Sequence, residues 1–404
     1  MKRGHLSEYF RGVAAKTLSA VEADTRTSNQ HEFNGVTVLR TMLGPTRRRM
    51  PARFVFLSDD ADDPDTADGF LTWYDAREND PKRTEYRLYF PSTSVSIKLS
   101  PGDLFVLGLR HDDSALCVFA QGNSTSSNQI RWLFGINDEE LAGFTVADED
   151  HIDTVSLEYA SRLILDEIGV ETAPEPESIN LLDQILARFG PTFPPTRAFS
   201  SFVHEIAKLD PRDGADAVLM GWMDLEESVF RALERHLISE RLRKGFGGDH
   251  EVDVDGFIGF SLGVQNRRKS RAGYALENHV EAVFASHGIR CTRTAVTENR
   301  NKPDFLFPGV VEYRDQRYPD ARLTMLAAKT SAKDRWRQIL GEADRIPNKH
   351  LLTLEPGISK NQTDEMSARQ VTLVLPSSIH SSYSAAQRSQ IMSMKTFIDL
   401  VAGR

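Results

Sequence analysis

Cysteine is nearly absent from this chain, and long apolar runs are missing altogether. The 404 residues include only Cys117 and Cys291, which excludes a disulfide framework and a zinc site built on thiolates. No stretch approaches the roughly 20 apolar residues that a membrane-spanning helix needs, and the first residues lack the apolar segment of a signal peptide. The sequence therefore predicts a cytoplasmic protein.

An excess of positive charge is also lacking, because the formal net charge is -9. This argues against a protein that coats nucleic acid through its total charge, although local clusters of Lys and Arg can still bind it. With 40% hydrophobic and 26% charged residues, the composition is that of an ordinary globular protein. Its length predicts two domains, because a single core rarely serves more than roughly 300 residues.

Residues 1–170 predict a mainly-β domain. Short runs rich in β-branched and aromatic residues alternate with segments of Asp, Pro, Gly and Ser, which is typical of a barrel or sandwich. The predicted strands are 36–39, 54–57, 70–74, 87–90, 104–108 and 116–119. A polar, proline-spaced segment at 171–178 predicts a linker to a second domain.

A basic cluster in this first domain has two interpretations. Arg83, Glu85 and Arg87 alternate along the chain, so on a strand they would share one face. Arginines on an exposed strand can bind phosphate or the edges of guanine. The alternative is an edge strand whose charges protect it from pairing with another chain. Spacing alone favours the alternative.

Residues 179–404 predict an α/β domain. Apolar residues recur at helical spacing from 179 to 245, and further helices are predicted from near Tyr274 and over 331–345. Predicted strands at 289–296, 303–307, 323–329, 351–354 and 371–375 would form a mixed sheet between helices. Glu277 and Glu281 lie four residues apart, either as a solvated acidic face or as an acidic group beside a metal.

Three residues of this domain suit the hydrolysis of a phosphodiester. Asp304 follows a proline at the mouth of one strand, Lys329 ends another strand, and Glu342 lies on the helix that follows. Carboxylates can hold Mg²⁺, which activates water and neutralises charge at phosphorus, while a lysine adds a fixed cation. The usual nuclease pattern has an acid two residues before the lysine. Ala327 occupies that place, so we interpret Glu342 as its replacement.

Longer motifs occur at 242–247, 266–273, 301–308, 333–340 and 375–378. Together they resemble the catalytic domain of the EcoRII restriction endonucleases. The resemblance implies a Mg²⁺-dependent type II endonuclease with the PD-(D/E)XK fold, in which the second acid lies on the helix. It implies Asp304, Lys329 and Glu342 as catalytic residues, Glu277 as an accessory acid and Tyr313 near the active site.

The same resemblance assigns DNA recognition to three neighbouring residues. Lys333, Asp334 and Arg335 match the family's triplet, which reads a CC/GG half-site in the major groove. Lys and Arg donate hydrogen bonds to guanine, and Asp accepts one from cytosine. A CCNGG-like site and a homodimer are implied, because a palindromic site mirrors a two-fold protein. A cognate methyltransferase is expected in the same system, without a stable complex.

The first domain resembles the EcoRII effector domain, a DNA-binding pseudobarrel, at residues 18–20, 74–77 and 83–87. This implies that Arg83, Glu85 and Arg87 contact effector DNA, and that the domain inhibits the catalytic domain until DNA binds. Two other functions remain open: a nuclease whose first domain reads a modified base, and a DNA-binding regulator without catalysis. The three catalytic candidates disfavour the regulator, since a pure binder has no need of them.

Overall fold

The computed structural model describes residues 5–23, 31–61, 63–136, 143–147, 151–152, 157–172, 181–248 and 251–404, without the side chains of residues 251, 333 and 334. The chain divides into two compact units, Met1–Thr172 with Pro356–Lys360, and Ala173–Glu355 with Asn361–Arg404. The linker predicted at 171–178 lies outside the described residues from 173 onward. None of the helices in the described ranges combines the length and apolar character that crossing a bilayer requires.

The first unit is built on one eight-stranded sheet with the order β2-β5-β4-β3-β7-β6-β1-β8. Its strands are Gly12–Thr17 (β1), Glu32–Asn34 (β2), Arg48–Leu57 (β3), Asp65–Asp75 (β4), Tyr86–Tyr89 (β5), Leu104–Leu109 (β6), Ala115–Ala120 (β7) and Thr145–Val146 (β8). Its described α-helices are Ala20–Ala23 (α1), Thr37–Leu43 (α2), Thr125–Phe134 (α3) and Tyr159–Glu167 (α4). Neighbouring strands are antiparallel except β3 and β7, which are parallel.

Aromatic residues fill the space inside this curved sheet. Phe33 of the edge strand β2 stacks on Phe105 of β6, with ring centroids 4.7 Å apart, and Phe105 stacks on Phe119 of β7 at 4.7 Å. Phe144, next to the other edge strand β8, meets Phe33 at 5.7 Å. Residues near both edges of the sheet therefore meet in one core. A second buried cluster covers the opposite face, where α3 and α4 pack.

The structure departs from the sequence prediction at two places in this unit. The strand predicted at 36–39 is wrong, because α2 starts at Thr37. Leu39 and Leu43 are both buried, and their spacing of four places them on one helical face, which outweighs the β propensity of the local valines. The shared strand face predicted for Arg83, Glu85 and Arg87 is also wrong, because β5 begins at Tyr86 and contains only Arg87.

The second unit begins with helices, continues with a mixed sheet and ends with two further helices. Its α-helices are Leu182–Phe189 (α5), Thr196–Ala207 (α6), Ala215–Lys244 (α7), Val254–Ser286 (α8), Val310–Arg314 (α9), Lys360–Ala368 (α10), Ala385–Arg388 (α11) and Met394–Ala402 (α12). Its strands are Gly247–Gly248 (β9), Glu251–Val252 (β10), Thr292–Arg293 (β11), Phe305–Phe307 (β12), Thr324–Lys329 (β13), Lys349–Thr353 (β14) and Val371–Val374 (β15).

The five-stranded sheet of this unit has the order β11-β12-β13-β14-β15. The pairs from β11 to β13 are antiparallel, and the pairs from β13 to β15 are parallel. Phe284 of α8 meets Phe305 and Phe307 of β12, with ring centroids 5.5 and 5.0 Å apart, which packs the helix over the sheet. This arrangement confirms the predicted mixed sheet flanked by helices.

Two helices near the candidate site differ from the prediction. α8 begins at Val254, not near Tyr274, because Asp253 caps it by accepting a hydrogen bond from the Gly256 backbone at 2.7 Å. The helix predicted over 331–345 is a 3₁₀ helix, Lys333–Gly341. Glu342 follows that helix with extended backbone angles, so the prediction that it lies on the helix is wrong.

A buried histidine on β14 should make folding pH-dependent. His350 is 3% exposed, and its Nδ1 donates to the Met325 carbonyl at 3.2 Å. Burial, aided by the charge of Arg404, lowers its pKa to about 4. The folded pKa lies below that of the unfolded chain, about 6.5, so the unfolded state takes up the proton first as the pH falls. The stability that neutral His350 contributes is present at pH 7 and is lost towards pH 4.

We expect this loss to disappear in His350→Gln, which cannot titrate in this range. Between pH 7 and pH 5 the free energy of unfolding of the unchanged chain should fall by on the order of 2 kcal/mol more than that of the variant. Denaturant unfolding at the two pH values, followed by far-ultraviolet circular dichroism, measures the difference. Parallel pH profiles for the two proteins would contradict the assignment.

Candidate active site

Asp304 and Lys329 lie together at adjacent strands of the mixed sheet. Asp304 precedes β12 and Lys329 ends β13, and these strands are paired antiparallel, with Phe305 opposite Leu326. Asp304 Oδ2 accepts hydrogen bonds from the Ala328 backbone N–H at 2.8 Å and from Lys329 Nζ at 2.9 Å. Asp304 is 7% exposed. The carboxylate is thus fixed by the backbone of β13 and paired with its terminal lysine.

Glu342 brings a second carboxyl group to the same place. Burial and, after it, the negative charge of Asp304 raise its pKa to about 7, although Lys329 and Lys349 oppose the shift. Glu342 Oε2 is buried and has no hydrogen-bond partner among the described residues. A buried polar atom without a partner is costly, and such atoms often mark the position of an ion or ligand.

This arrangement fits a divalent cation. Carboxylate oxygens are the ligands that Mg²⁺ prefers, and Mg²⁺ is commonly bound through one or two carboxylates with water and phosphate completing its shell. A cation beside Asp304 and Glu342 would give Glu342 Oε2 a partner and relieve the repulsion between the two acids. Within the described ranges, no cluster of three or more His, Cys, Asp or Glu could hold a metal ion. Asp304 and Glu342 could supply two protein ligands for the ion.

Glu277 lies on α8 and is held by an arginine. Its Oε2 accepts from Arg293 Nη2 at 2.6 Å and from Nε at 3.1 Å. Burial and the charge of Asp304 raise the pKa of Glu277, whereas Arg293 and Lys329 lower it. Arg293 also pairs with Glu281 at 3.1 Å. Of the two interpretations of this acidic pair, the solvated face does not apply to Glu277, which is largely buried and interacts electrostatically with Asp304.

Tyr313 is linked to the turn that follows Glu342. Its hydroxyl donates to Glu298 Oε2 at 2.6 Å, and the same oxygen accepts from the Asp344 backbone N–H at 3.2 Å. Burial and this bond to Glu298 raise the pKa of Tyr313. Glu298 could not be predicted from the sequence, because a glutamate in a short polar segment looks like an ordinary surface residue.

The predicted recognition triplet starts four residues after Lys329. It occupies the start of the 3₁₀ helix Lys333–Gly341, which is anchored by the fully buried Trp336 and Ile339. Arg335 is exposed. The side chains of Lys333 and Asp334 lie outside the described part of the structure.

In the first unit, the three predicted effector contacts are in different situations. Glu85 pairs with Arg77 at 2.6 Å and with Arg87, which also donates to Asn34. Arg83 is exposed in the loop before β5, and the ion pairs found among the described residues do not include it. Glu85 and Arg87 therefore belong to a network of ion pairs and hydrogen bonds. Arg83 stands outside this network and is exposed to solvent.

Cation–π contacts near this network were missed by the sequence analysis. The guanidinium of Arg49 on β3 lies 4.2 Å from the ring centroid of Phe70 on β4, and that of Arg47 lies 5.9 Å from Tyr74. Arg49 and Phe70 are exposed. The basic and aromatic residues are visible in the sequence, but the pairing of β3 with β4, which brings Arg49 to Phe70, is not.

Comparison with known proteins places these observations in a family. A family model described as EcoRII C terminal matches residues 230–398. The chain is 34% identical over 361 residues to the type II restriction enzyme EcoRII of Escherichia coli, a match that covers 89% of this chain and 85% of that protein.

Solved structures also match. Metal-depleted Ecl18kI in complex with uncleaved, modified DNA is 17% identical, with a TM-score of 0.45, and the match covers 56% of this chain and 83% of that one. The complex of the restriction endonuclease PspGI with substrate DNA is 15% identical, with a TM-score of 0.43, over 53% of this chain and 96% of that one. The 34% identity to EcoRII over most of both sequences shows that the chain belongs to the EcoRII family of type II restriction enzymes.

Proposed function

We propose that this protein is a Mg²⁺-dependent endonuclease that hydrolyses phosphodiester bonds of duplex DNA. The observation that carries the proposal is the Asp304–Lys329 ion pair beside the buried, unpartnered Oε2 of Glu342. Two acids that can hold a metal ion, with a lysine beside them, suit metal-assisted phosphodiester hydrolysis. Membership of the EcoRII family supports the same reaction.

Asp304 and Glu342 would hold the ion, which supplies an activated water and positive charge beside the phosphate. Lys329 Nζ, fixed at 2.9 Å from Asp304, is placed to stabilise negative charge that develops on the phosphate oxygens. Glu342 carries a proton for part of the time near neutral pH, because its pKa is about 7. Glu342 would have to lose this proton to hold the ion, since only the ionised carboxylate is a ligand.

The proposed fold of this unit is the PD-(D/E)XK type, with the second acid on the turn after the 3₁₀ helix. Its proposed target is a CC/GG-containing, CCNGG-like site read by Lys333, Asp334 and Arg335. The exposure of Arg335 on a helix that starts four residues after Lys329 supports a coupling of recognition to cutting. A palindromic site would be cut by a homodimer.

The first unit, about residues 1–170, is proposed to be an effector domain of the pseudobarrel type that restrains the catalytic domain until it binds DNA. Phe33 and Phe105, which join distant strands of its curved sheet, support a barrel-like form. The exposed Arg83 and the Arg49–Phe70 pair support nucleic-acid binding, because cations and aromatic rings together suit phosphates and bases. The catalytic domain would then span 179–404.

Lys329→Ala tests the active site. Removing the fixed cation should lower the rate of cleavage in Mg²⁺ by about 10²–10³ fold, the usual loss for one group that stabilises developing charge. Specific DNA binding, measured in Ca²⁺ by gel shift, should change far less. Lys395→Ala is the control, because Lys395 forms an exposed pair with Asp399 on α12. Cleavage by Lys329→Ala at the rate of this control would rule out the assignment.

Arg335→Ala tests the choice of site. Loss of a bidentate contact to guanine costs about 1–3 kcal/mol of discrimination, so the variant should accept sites with a changed outer guanine. Cleavage of a sequence-randomised DNA library, read by sequencing the ends, measures the preference. Arg337→Ala is the matched control on the same 3₁₀ helix, because Arg337 pairs with Glu365 at 2.8 Å. An unchanged preference in Arg335→Ala would refute its role.

Arg83→Ala tests the effector function. Cleavage of DNA with a single site should rise when a short duplex with the same site is added, and the variant should need about 10-fold more duplex for half of this effect. Lys98→Ala is the control, since Lys98 is an exposed cation of the same unit that pairs with Asp65. Identical activation curves for Arg83→Ala and the unchanged chain would show that Arg83 does not bind effector DNA.

A further inference from the structure

The turn that carries Glu342 is held by a segment that leads directly to Asp304. Asn301 Nδ2 donates to the Gly341 carbonyl at 2.5 Å, and the Ala343 backbone N–H donates to Thr297 Oγ1 at 3.4 Å. Glu298 accepts from the Asp344 backbone N–H at 3.2 Å. Residues 297–301 therefore fix one side of the turn and connect it to Asp304, which directly precedes β12.

Lys349 fixes the other side of the same turn. It begins β14 and is 5% exposed, an uncommon position for a lysine. Its Nζ donates to the Ala343 carbonyl at 2.9 Å and to the carbonyl of Glu342 itself. A buried ammonium group is costly unless its donors are used, and here two of the three bind consecutive carbonyls of the turn.

The backbone of the turn needs this support. Ala343 has a φ of 49°, in the left-handed region that residues other than glycine rarely adopt. Such a conformation persists only where the surrounding structure holds it. The bonds from Lys349 to the carbonyls on either side of this strained position hold it directly.

Lys349 is not placed to touch the reacting phosphate. In the parallel pair β13–β14, Lys329 lies opposite Thr353, four residues further along the strand than Lys349. At about 3.3 Å of rise per residue, four residues of strand span roughly 13 Å. Lys349 therefore acts on the site through the turn, and its charge also lowers the pKa of Glu342.

We infer that Lys349 is a positioning residue for the metal ligand Glu342. Its ammonium group holds the Glu342–Ala343 turn so that the carboxylate stays beside Asp304, where the cation binds. This inference rests on the proposed function, because it requires Glu342 to be a ligand. Lys349 lies outside the set of Asp304, Lys329 and Glu342, and its substitution should lower the affinity for the metal ion.

The test is a metal titration of Lys349→Met in the full-length protein. The concentration of Mg²⁺ for half-maximal cleavage, and that of Ca²⁺ for half-maximal specific DNA binding, should both rise about 10–100 fold, the usual effect of losing a group that orients a metal ligand. The cleavage rate in saturating Mg²⁺ should return to within a few fold of the unchanged chain. His350→Gln is the matched control: it alters the next residue of β14, which is also buried, and should leave both concentrations unchanged.

Two further variants separate the possible outcomes. A folded Lys349→Met with a lower maximal rate and unchanged half-maximal concentrations would overturn the inference. Should Lys349→Met fail to fold, Lys349→Arg decides, because its wider fork cannot bind the two carbonyls identically; an unchanged metal dependence in that variant would overturn the inference too. Asp304→Asn tests the proposed function separately, since unchanged metal dependence there would show that the metal site itself is misassigned.

Discussion

Two carboxyl groups held close together away from water are the constraint on which this site depends. Asp304 accepts hydrogen bonds from Lys329 and from the backbone of β13. Glu342 has no such donors at Oε2 among the described residues, so burial and the charge of Asp304 raise its pKa to about 7. The repulsion costs stability, yet it is also what a divalent cation relieves. The repulsion between the two acids therefore lowers the stability of the fold without a cation and favours binding of the cation.

The two acids come from segments far apart in the chain, so their spacing depends on the scaffold. Asp304 is fixed by its bond to β13, and β12 is packed against α8 through Phe284. Glu342 lies on a turn, which a site can use only if that turn is rigid. The segment 297–301 and Lys349 hold its backbone polar groups. Glu342 is therefore held in a defined position although it lies on a turn.

In the first unit, too, charged side chains are close together. Glu85 pairs with both Arg77 and Arg87 and so holds the two arginine side chains in place. Exposed ion pairs contribute little to stability, so exchanging Glu85 for a phosphate costs little. Each arginine that meets a phosphate also releases counterions, which favours binding and makes it sensitive to salt. Under the proposed effector function, Glu85 would act as a stand-in for the phosphate.

The sequence predicted β12 and β13 well, because each is an apolar run bounded by a charged residue, Asp304 or Lys329. The 3₁₀ helix was mistaken for a longer helix, since the three-residue spacing of Trp336 and Ile339 fits both periods over so short a stretch. The role of Lys349 could not be predicted from the sequence, for a different reason. A lysine at the start of a strand looks like a solvated charge, and its partners are backbone carbonyls, which every residue has. Contacts between a side chain and backbone carbonyls of another segment leave no pattern in the sequence, so the residues that support a ligand are harder to predict than the ligand itself.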